Sequence, residues 1–198
     1  MRKGSVMEYK VYEDSLGKVK VPAGKMWGAQ TQRAVENFAI GDQSLPLHFI
    51  YEYVRLKRFA ACANHALGTL SSGHMELITG ACDTVLEGKY DEHFPLRVWH
   101  SGSGTQTNMN VNEVIANIAN AKAGEVRLHP NDHINMSQSS NDTFPTVMHM
   151  SIVRQTKEHL LPALKRLRRS LKQKQEQYMQ TFKVGRTHLQ DALPMSFG

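Results

Sequence analysis

At 198 residues and 40% hydrophobic content, the chain has material for one ordinary domain, or one and a half, around a globular core. No apolar run reaches the roughly 18 residues of a transmembrane helix, so none is expected, and the first residues lack the apolar stretch of a secretory signal, so none is expected there. The formal charge of +6 leaves nucleic acid, a membrane surface or an anionic substrate as partners, while Cys62 and Cys82 fit no metal or redox spacing and suit a reducing, cytoplasmic setting.

Residues 1–6 read as an added leader ahead of a native start at Met7. Residues 8–21 alternate apolar and polar on both sides of Asp14-Ser15-Leu16-Gly17, a hairpin signal with a glycine in its turn, closed by Pro22. Trp27–Arg33 follows without a period; Thr31, Gln32 and Arg33 either help to hold an anion or cap the next element. From Pro46 to Leu67 a helix is expected, with Leu47, Ile50, Val54, Ala61 and Cys62 inward, a polar face of Glu52, Arg55 and Lys57, and a stop at Gly68. Ser71 or Ser72 caps a second helix carrying Met75, Ile78, Cys82, Val85 and Leu86, ended by Gly88. Lys89–Pro95 reads as an acidic, irregular linker.

Trp99–Asn110 is a loop of glycines and hydroxyls that opens into a helix with the stripe Val111, Val114, Ile115 and Ile118, ended by Gly124. It lacks the lysine of a nucleotide-binding loop and the spacing of a nucleophile elbow. What remains is a helix N-terminus with Ser103, Thr105, Thr107 and Asn108 as donors, an arrangement suited to a carboxylate through unpaired N–H groups and the helix dipole.

His129–Pro145 is the most distinctive stretch. Its seventeen residues hold two His, three Asn, two Asp, one Gln, three Ser and one Thr, with only Ile134, Met136 and Phe144 plainly apolar. No amphipathic period fits it, and short hydrogen-bonding side chains dominate; either they converge on a small anion, or they form a connection rich in helix caps. Asp142 or Thr143 is expected to cap a long helix with Pro145 in its first turn and a kink at Pro162. Val153, Leu160, Leu164, Leu167, Leu171 and Tyr178 form the seam of a helix bundle running to about Phe182. Lys165, Arg166, Arg168, Arg169, Lys172 and Lys174 lie between the seam residues and read as a solvated face; without aromatic interleaving they give no case for nucleic acid. A last polar stretch, Gly185–Pro194, follows. A long seam helix needs partners, from other copies or from a longer protein.

Three polar segments occur in one order: G-S-G-T-Q-T-N-M-N from Gly102, H-P-N-D then S-Q-S-S-N-D-T-F-P from His129, and G-R-T-H-L-Q-D-A-L-P from Gly185. With K-V-K-V-P-A-G-K-M-W-G-A-Q-T-Q-R from Lys18, they resemble the class II fumarase branch of the fumarase/aspartase superfamily, across nearly the whole chain from Met7. The resemblance implies a mainly α fold: an N-terminal helical domain with a small β-hairpin over residues 7–140, leading into the start of a central helical bundle over residues 141–198. It also implies homotetramers with sites built from several chains. Aspartase is the nearest alternative, through Asp132-His133-Ile134-Asn135, Met195 and the Glu113–Ala119 segment; His188, where aspartases carry Gln, argues for fumarase, as do His129 and Ser139-Ser140-Asn141. A non-catalytic helical assembly module is the remaining alternative. Met136 and His100 depart from the family, which more often has a basic residue and Gln there.

The implied reaction is the reversible hydration of fumarate to L-malate, without metal or cofactor. Ser103, Thr105, Ser139, Ser140, Asn141 and Thr187 match substrate-binding positions, and His188 matches the group that handles the water or hydroxyl. An imidazole suits that task near neutral pH. His129, Asn131 and Asp132 match a second dicarboxylate site, with a helix start capped by Asn131 or Asp132 as the alternative. In the family the carbon-acid base is a Ser on a Gly-Ser-Ser loop, followed by a Lys and an Asn. That region and the carboxylate orienting the site His would lie beyond Gly198, so the chain alone is expected to be inactive or nearly so.

Overall fold

The structure is a computed structural model that describes residues 8–124 and 126–198; the expected leader at residues 1–6 lies outside them. Two units are present, one ending at Ser151 and the other covering Ile152–Gly198.

The first unit begins with the expected antiparallel hairpin, β1 (Tyr9–Asp14) and β2 (Gly17–Pro22), with Asp14 opposite Gly17 across the Ser15-Leu16 turn. The turn is held by Asp14 Oδ1, which accepts the Leu16 N–H at 2.9 Å, and by Gly17 at φ 104°, a left-handed conformation that favours glycine. Four helices follow: α1 (Ala29–Asn37), α2 (Leu47–Ala66), α3 (Ser72–Leu86) and α4 (Thr105–Lys122). Ser71 caps α3 through the His74 N–H, and Gly68 and Gly88, both at positive φ, end α2 and α3. The expected linker 89–95 holds a short 3-10 turn at Asp91–His93.

Helix α4 is the centre of this unit and packs against α1, α2 and α3. Val111, Val114, Ile115 and Ile118 are buried as expected, but so are Thr107, Asn108, Asn110, Asn112 and Glu113. A helix enclosed on nearly all sides must satisfy its polar side chains internally. Its asparagines do so by pinning loops: Asn110 donates to His93 O, Asn117 to Met26 O, and Asn120 both donates to Leu128 O and accepts the Leu128 N–H. The expected polar face of α2 is corrected in the same way. Only Arg55 keeps substantial exposure; Glu52 and Lys57 are buried, because α3, α4 and the polar stretch cover α2 from several directions.

The polar stretch forms a π turn at Pro130–Ile134 and then α5 (Ser140–Gln155). Helix α5 starts two or three residues before the expected cap, because Ser139 supplies the cap: its carbonyl accepts the Asp142 and Thr143 N–H groups and its Oγ the Asn141 N–H. A second π turn, Thr156–Leu160, precedes α6 (Leu161–Tyr178). Pro162 falls in the first turn of α6, where its missing N–H is harmless, and the π turn takes the place of the expected kink. Helix α6 stops at Tyr178, short of the expected Phe182, which instead opens a second hairpin, β3 (Phe182–Thr187) and β4 (Gln190–Ser196). Along α6 the seam residues Leu164, Leu167 and Leu171 stand exposed.

Candidate functional site

Two helix N-termini meet in the first unit. Gly104, at φ 70°, turns the loop into α4, and a Cβ placed there would lie 2.2 Å from the Phe144 ring of α5. Only glycine permits that approach, which brings Ser140 at the start of α5 to Thr105 at the start of α4, with Oγ1 and Oγ 3.1 Å apart. Thr105 Oγ1 is also 3.0 Å from Ser103 Oγ, and Ser103 is 3.2 Å from Ser101. Ser101 in turn meets the Gln106 side-chain oxygen. Ser103, Thr105, Ser139 and Asn141 are exposed and Ser140 half-buried. The structure therefore brings five of the expected substrate-binding residues to one surface, where the positive ends of two helix dipoles converge.

Thr107 and Asn108, also read as outward donors, are turned inward. Thr107 Oγ1 lies 2.8 Å from His100 Nε2, and Asn108 bonds to Lys57 and Asn135. His100 Nδ1 faces Ser101 O at 3.0 Å; a carbonyl only accepts, so Nδ1 carries the proton and Nε2 accepts from Thr107.

The Trp27–Arg33 segment does hold an anion, but an internal one. The Glu113 carboxylate accepts the N–H groups of Gly28 (2.9 Å), Gln30 (2.9 Å) and Thr31 (3.1 Å), occupying the N-terminus of α1. Gln32 receives the Trp27 indole N–H, and Arg33 is paired with Asp14 through two bonds of 2.9 and 3.0 Å. That guanidinium holds the Asp14 carboxyl below the usual range. Thr31, Gln32 and Arg33 thus build the scaffold.

At the second expected site, the cap of the π turn is His129, not Asn131 or Asp132. Its Nδ1 lies 3.3 Å from the Asp132 N–H and 3.2 Å from Asp132 Oδ2. His129 N–H donates to His133 Nδ1 at 2.8 Å, and burial, with His74 4.6 Å away ring to ring, lowers His133 below 6.5. His129 and Asn131 border a cavity of about 240 Å³ that also carries Glu13, Asp14 and Glu113, a lining poorly matched to a dianion. Among the described residues no three His, Cys, Asp or Glu side chains are grouped to hold a metal ion.

Thr187 and His188 belong to the second unit. His188 and Leu189 form the two-residue turn between β3 and β4, at φ 52° and 61°. Both occupy the left-handed region without being glycine, a conformation that costs about 1–2 kcal/mol per residue. Such strain accumulates where a side chain must be aimed.

Two buried charged residues that organise this unit, Glu113 and Lys57, are not marked as such by the sequence. The Lys57 ammonium is fully buried and donates to Asn108 Oδ1 (2.7 Å), Asn135 Oδ1 (2.9 Å) and Gln138 Oε1 (2.9 Å). Neither has a local signal: each is a charged residue in a helical run, with nothing in its spacing to mark it as buried.

A family model described as lyase matches residues 17–198. Class II fumarate hydratase from Bacillus subtilis is 53% identical over 196 residues, covering 97% of this chain and 42% of that protein. The Staphylococcus saprophyticus protein of the same description is 52% identical with the same coverage. Among solved structures, recombinant class II fumarase from Schistosoma mansoni superposes with a TM-score of 0.91 at 46% identity, over 96% of this chain and 41% of that one. A fumarate lyase:delta crystallin from Brucella melitensis bound to cobalt gives 0.88 at 37% identity, over 96% and 43%. The chain spans about two fifths of the length of the curated relatives it matches.

Proposed function

The chain belongs to the lyase family, with its likeness to class II fumarate hydratases, and from that premise we propose that it is the N-terminal portion of an enzyme that reversibly hydrates fumarate to L-malate. The observation that carries this reading is the hydroxyl pair Thr105–Ser140 at two converging helix N-termini. A planar dicarboxylate needs short donors aimed at carboxylate oxygens, and Ser103, Ser139 and Asn141 extend the same surface. The proposal includes Thr187 as a substrate-binding residue, His188 as the group that handles the water, and assembly as a homotetramer, which the exposed seam of α6 supports. A cytoplasmic location belongs to the same proposal.

In the malate-to-fumarate direction a base takes the proton from the carbon beside one carboxylate, and the electron pair moves onto that carboxylate. The hydroxyl then leaves the neighbouring carbon, taking a proton from His188 and departing as water. In reverse, His188 accepts a proton from water as its oxygen adds. The helix-terminal donors stabilise the added negative charge between the two steps, each contributing roughly 3 kcal/mol in comparable sites. The proposal does not extend to His129, Asn131 and Asp132 as a second dicarboxylate site, because Glu13, Asp14 and Glu113 line the cavity beside His129 and Asn131.

The test is the intact lyase with fumarate, with and without ammonia. Ammonia-independent conversion to malate, abolished by His188→Asn, is the expected result. Conversion that requires ammonia and yields aspartate, or no turnover at all, overturns the proposal.

A further inference from the structure

Lys57 is a cation enclosed by neutral groups. Among the described residues no carboxylate pairs with it, and its three donors are matched by the three amide oxygens of Asn108, Asn135 and Gln138. An amide has an acceptor end and a donor end of nearly the same shape, so an adjoining cation decides which end faces inward. With their oxygens on Lys57, Asn135 and Gln138 turn their NH₂ groups onto the backbone of their own loop. Asn135 donates to Gln138 O at 3.1 Å, and Gln138 donates to Ile134 O at 2.9 Å and Met136 O at 3.1 Å. Three carbonyls just before Ser139 are thereby closed by side chains oriented by the ammonium, which for Asn135 acts together with the Asn108 and Asn112 amide donors on the same Oδ1 at 3.0 and 3.3 Å.

Gln138 directly precedes Ser139, the cap of α5, and Ser140, the partner of Thr105. Asn108 lies one turn along α4 from Thr105. One buried cation thus joins the two elements that present the hydroxyl pair. Lys57 itself has no exposed surface and touches no substrate.

We propose that Lys57 is a positioning residue: its ammonium fixes the orientation of the Asn135 and Gln138 amides and so holds Ser139, Ser140 and Asn141 in register with Thr105. The consequence for catalysis rests on the dicarboxylate reading above; the structural role does not.

The charge on Lys57 is adjustable near neutral pH. Burial lowers it from 10.5 to about 7, while the amide oxygens solvate the charged form. The titratable groups around it do not titrate there. The Cys82 thiol of α3 is pushed up by burial, and the Tyr53 phenol of α2 is pushed up to about 12. His133, in the same polar stretch, is lowered below 6.5. The groups contributed by α4 and the Asn135–Gln138 segment are neutral amides.

The test follows the side-chain amide resonances of Asn108, Asn135 and Gln138 in the ¹⁵N-labelled 198-residue chain from mildly acid to mildly alkaline pH. The expected result is one shared midpoint near 7, absent in Lys57→Met. In that variant the backbone amides of Asn141, Asp142 and Thr143 exchange at least about tenfold faster while those in the middle of α4 are unchanged. In the intact lyase, Lys57→Met raises KM for fumarate about tenfold on the acid side, and the difference closes on the alkaline side as wild-type Lys57 loses its charge. Independent titration of the three amides, or unchanged exchange at residues 141–143, overturns the proposal. If Lys57→Met does not fold, the wild-type titration decides alone. Absence of fumarate turnover by the wild-type lyase counts against the proposed reaction, and the shared amide step still judges Lys57.

Discussion

Replacing Glu113 by Gln removes the charge at the N-terminus of α1 while keeping the side chain's shape. Three backbone N–H groups converge on this carboxylate, those of Gly28 and Thr31 on Oε2 and that of Gln30 on Oε1. An amide oxygen in the Oε2 position still accepts two of them, but its NH₂ then faces the Gln30 N–H across 2.9 Å. Losing one hydrogen bond to an ionised acceptor costs roughly 1.5–3 kcal/mol, and losing the charge on the other two, with its interaction with the helix dipole, adds about 1. The expected loss is about 2.5–4 kcal/mol, a large share of the roughly 5–15 kcal/mol that stabilises an ordinary domain. Urea unfolding followed by far-ultraviolet circular dichroism reads this as a midpoint lowered by about 1–3 M at a typical slope. Gly28→Ala gives an independent handle. Its Cβ would lie 2.8 Å from Glu113 Oε1 and 2.9 Å from Cδ, and so pushes the carboxylate off the same three donors. The two substitutions break one structure, so the double variant loses at least about 1 kcal/mol less than the sum of the singles. A loss below about 1 kcal/mol for Glu113→Gln, or additivity of the pair, refutes the assignment of α1's N-terminus to this carboxylate.

The buried lysine gives a pH dependence of stability. Lys57 drops from 10.5 to about 7 on folding, so between those values the unfolded chain binds more protons and stability rises with pH, by up to about 1.4 kcal/mol per unit. The clean window runs from above the histidines at 6.5 to the free cysteine value of 9.0, beyond which the raised Cys82 opposes the trend; chemical unfolding across it should show the slope in wild type and none in Lys57→Met. At the β3–β4 turn, Leu189→Gly relieves left-handed strain at a fully exposed residue and should slow amide exchange in the hairpin by a factor matching about 0.5–1 kcal/mol; unchanged exchange would show that no strain is stored there. His188→Asn should keep that hairpin and lower fumarate turnover at least about a hundredfold, measured by loss of fumarate absorbance. Thr105→Val, which keeps shape but removes a hydroxyl from the pair with Ser140, should weaken dicarboxylate binding in the intact lyase by about 1–3 kcal/mol, read by calorimetry, with unchanged circular dichroism.

Much of this architecture is written in short-range patterns. Alternation around Asp14-Ser15-Leu16-Gly17 marks the first hairpin, and a helical period ended by Gly68 and Gly88 marks α2 and α3. The second hairpin is silent because its turn is His188-Leu189, with none of the Gly, Asn or Asp that a two-residue turn normally requires. The end of α6 is unmarked for a related reason: residues 179–182 carry no glycine or proline stop. Burial of Lys57 and Glu52 contradicts their place on a regular amphipathic wheel, since periodicity describes one covered face and α2 is covered on more than one.

The polar segments show a different limit. Composition identifies Ser103, Thr105, Thr107, Asn108, Arg33 and the Ser139–Asn141 run as hydrogen-bonding material, but it cannot say which groups point inward. In the folded unit they divide sharply. Thr107, Asn108, Asn135, Gln138 and Arg33 have their donors and acceptors engaged by other parts of the protein, while Ser103, Thr105, Ser139 and Asn141 remain at the surface. The inward set ties together the elements that carry the outward set: Lys57 bonds Asn108 of α4 and Asn135 and Gln138, just before α5. Glu113 neutralises one such end internally, at α1. Among the described residues no carboxylate bonds to the N-terminus of α4, whose first turn carries no acidic residue, while α5 has Asp142 in its first turn; the end of α4 is the one suited to an anion supplied from outside.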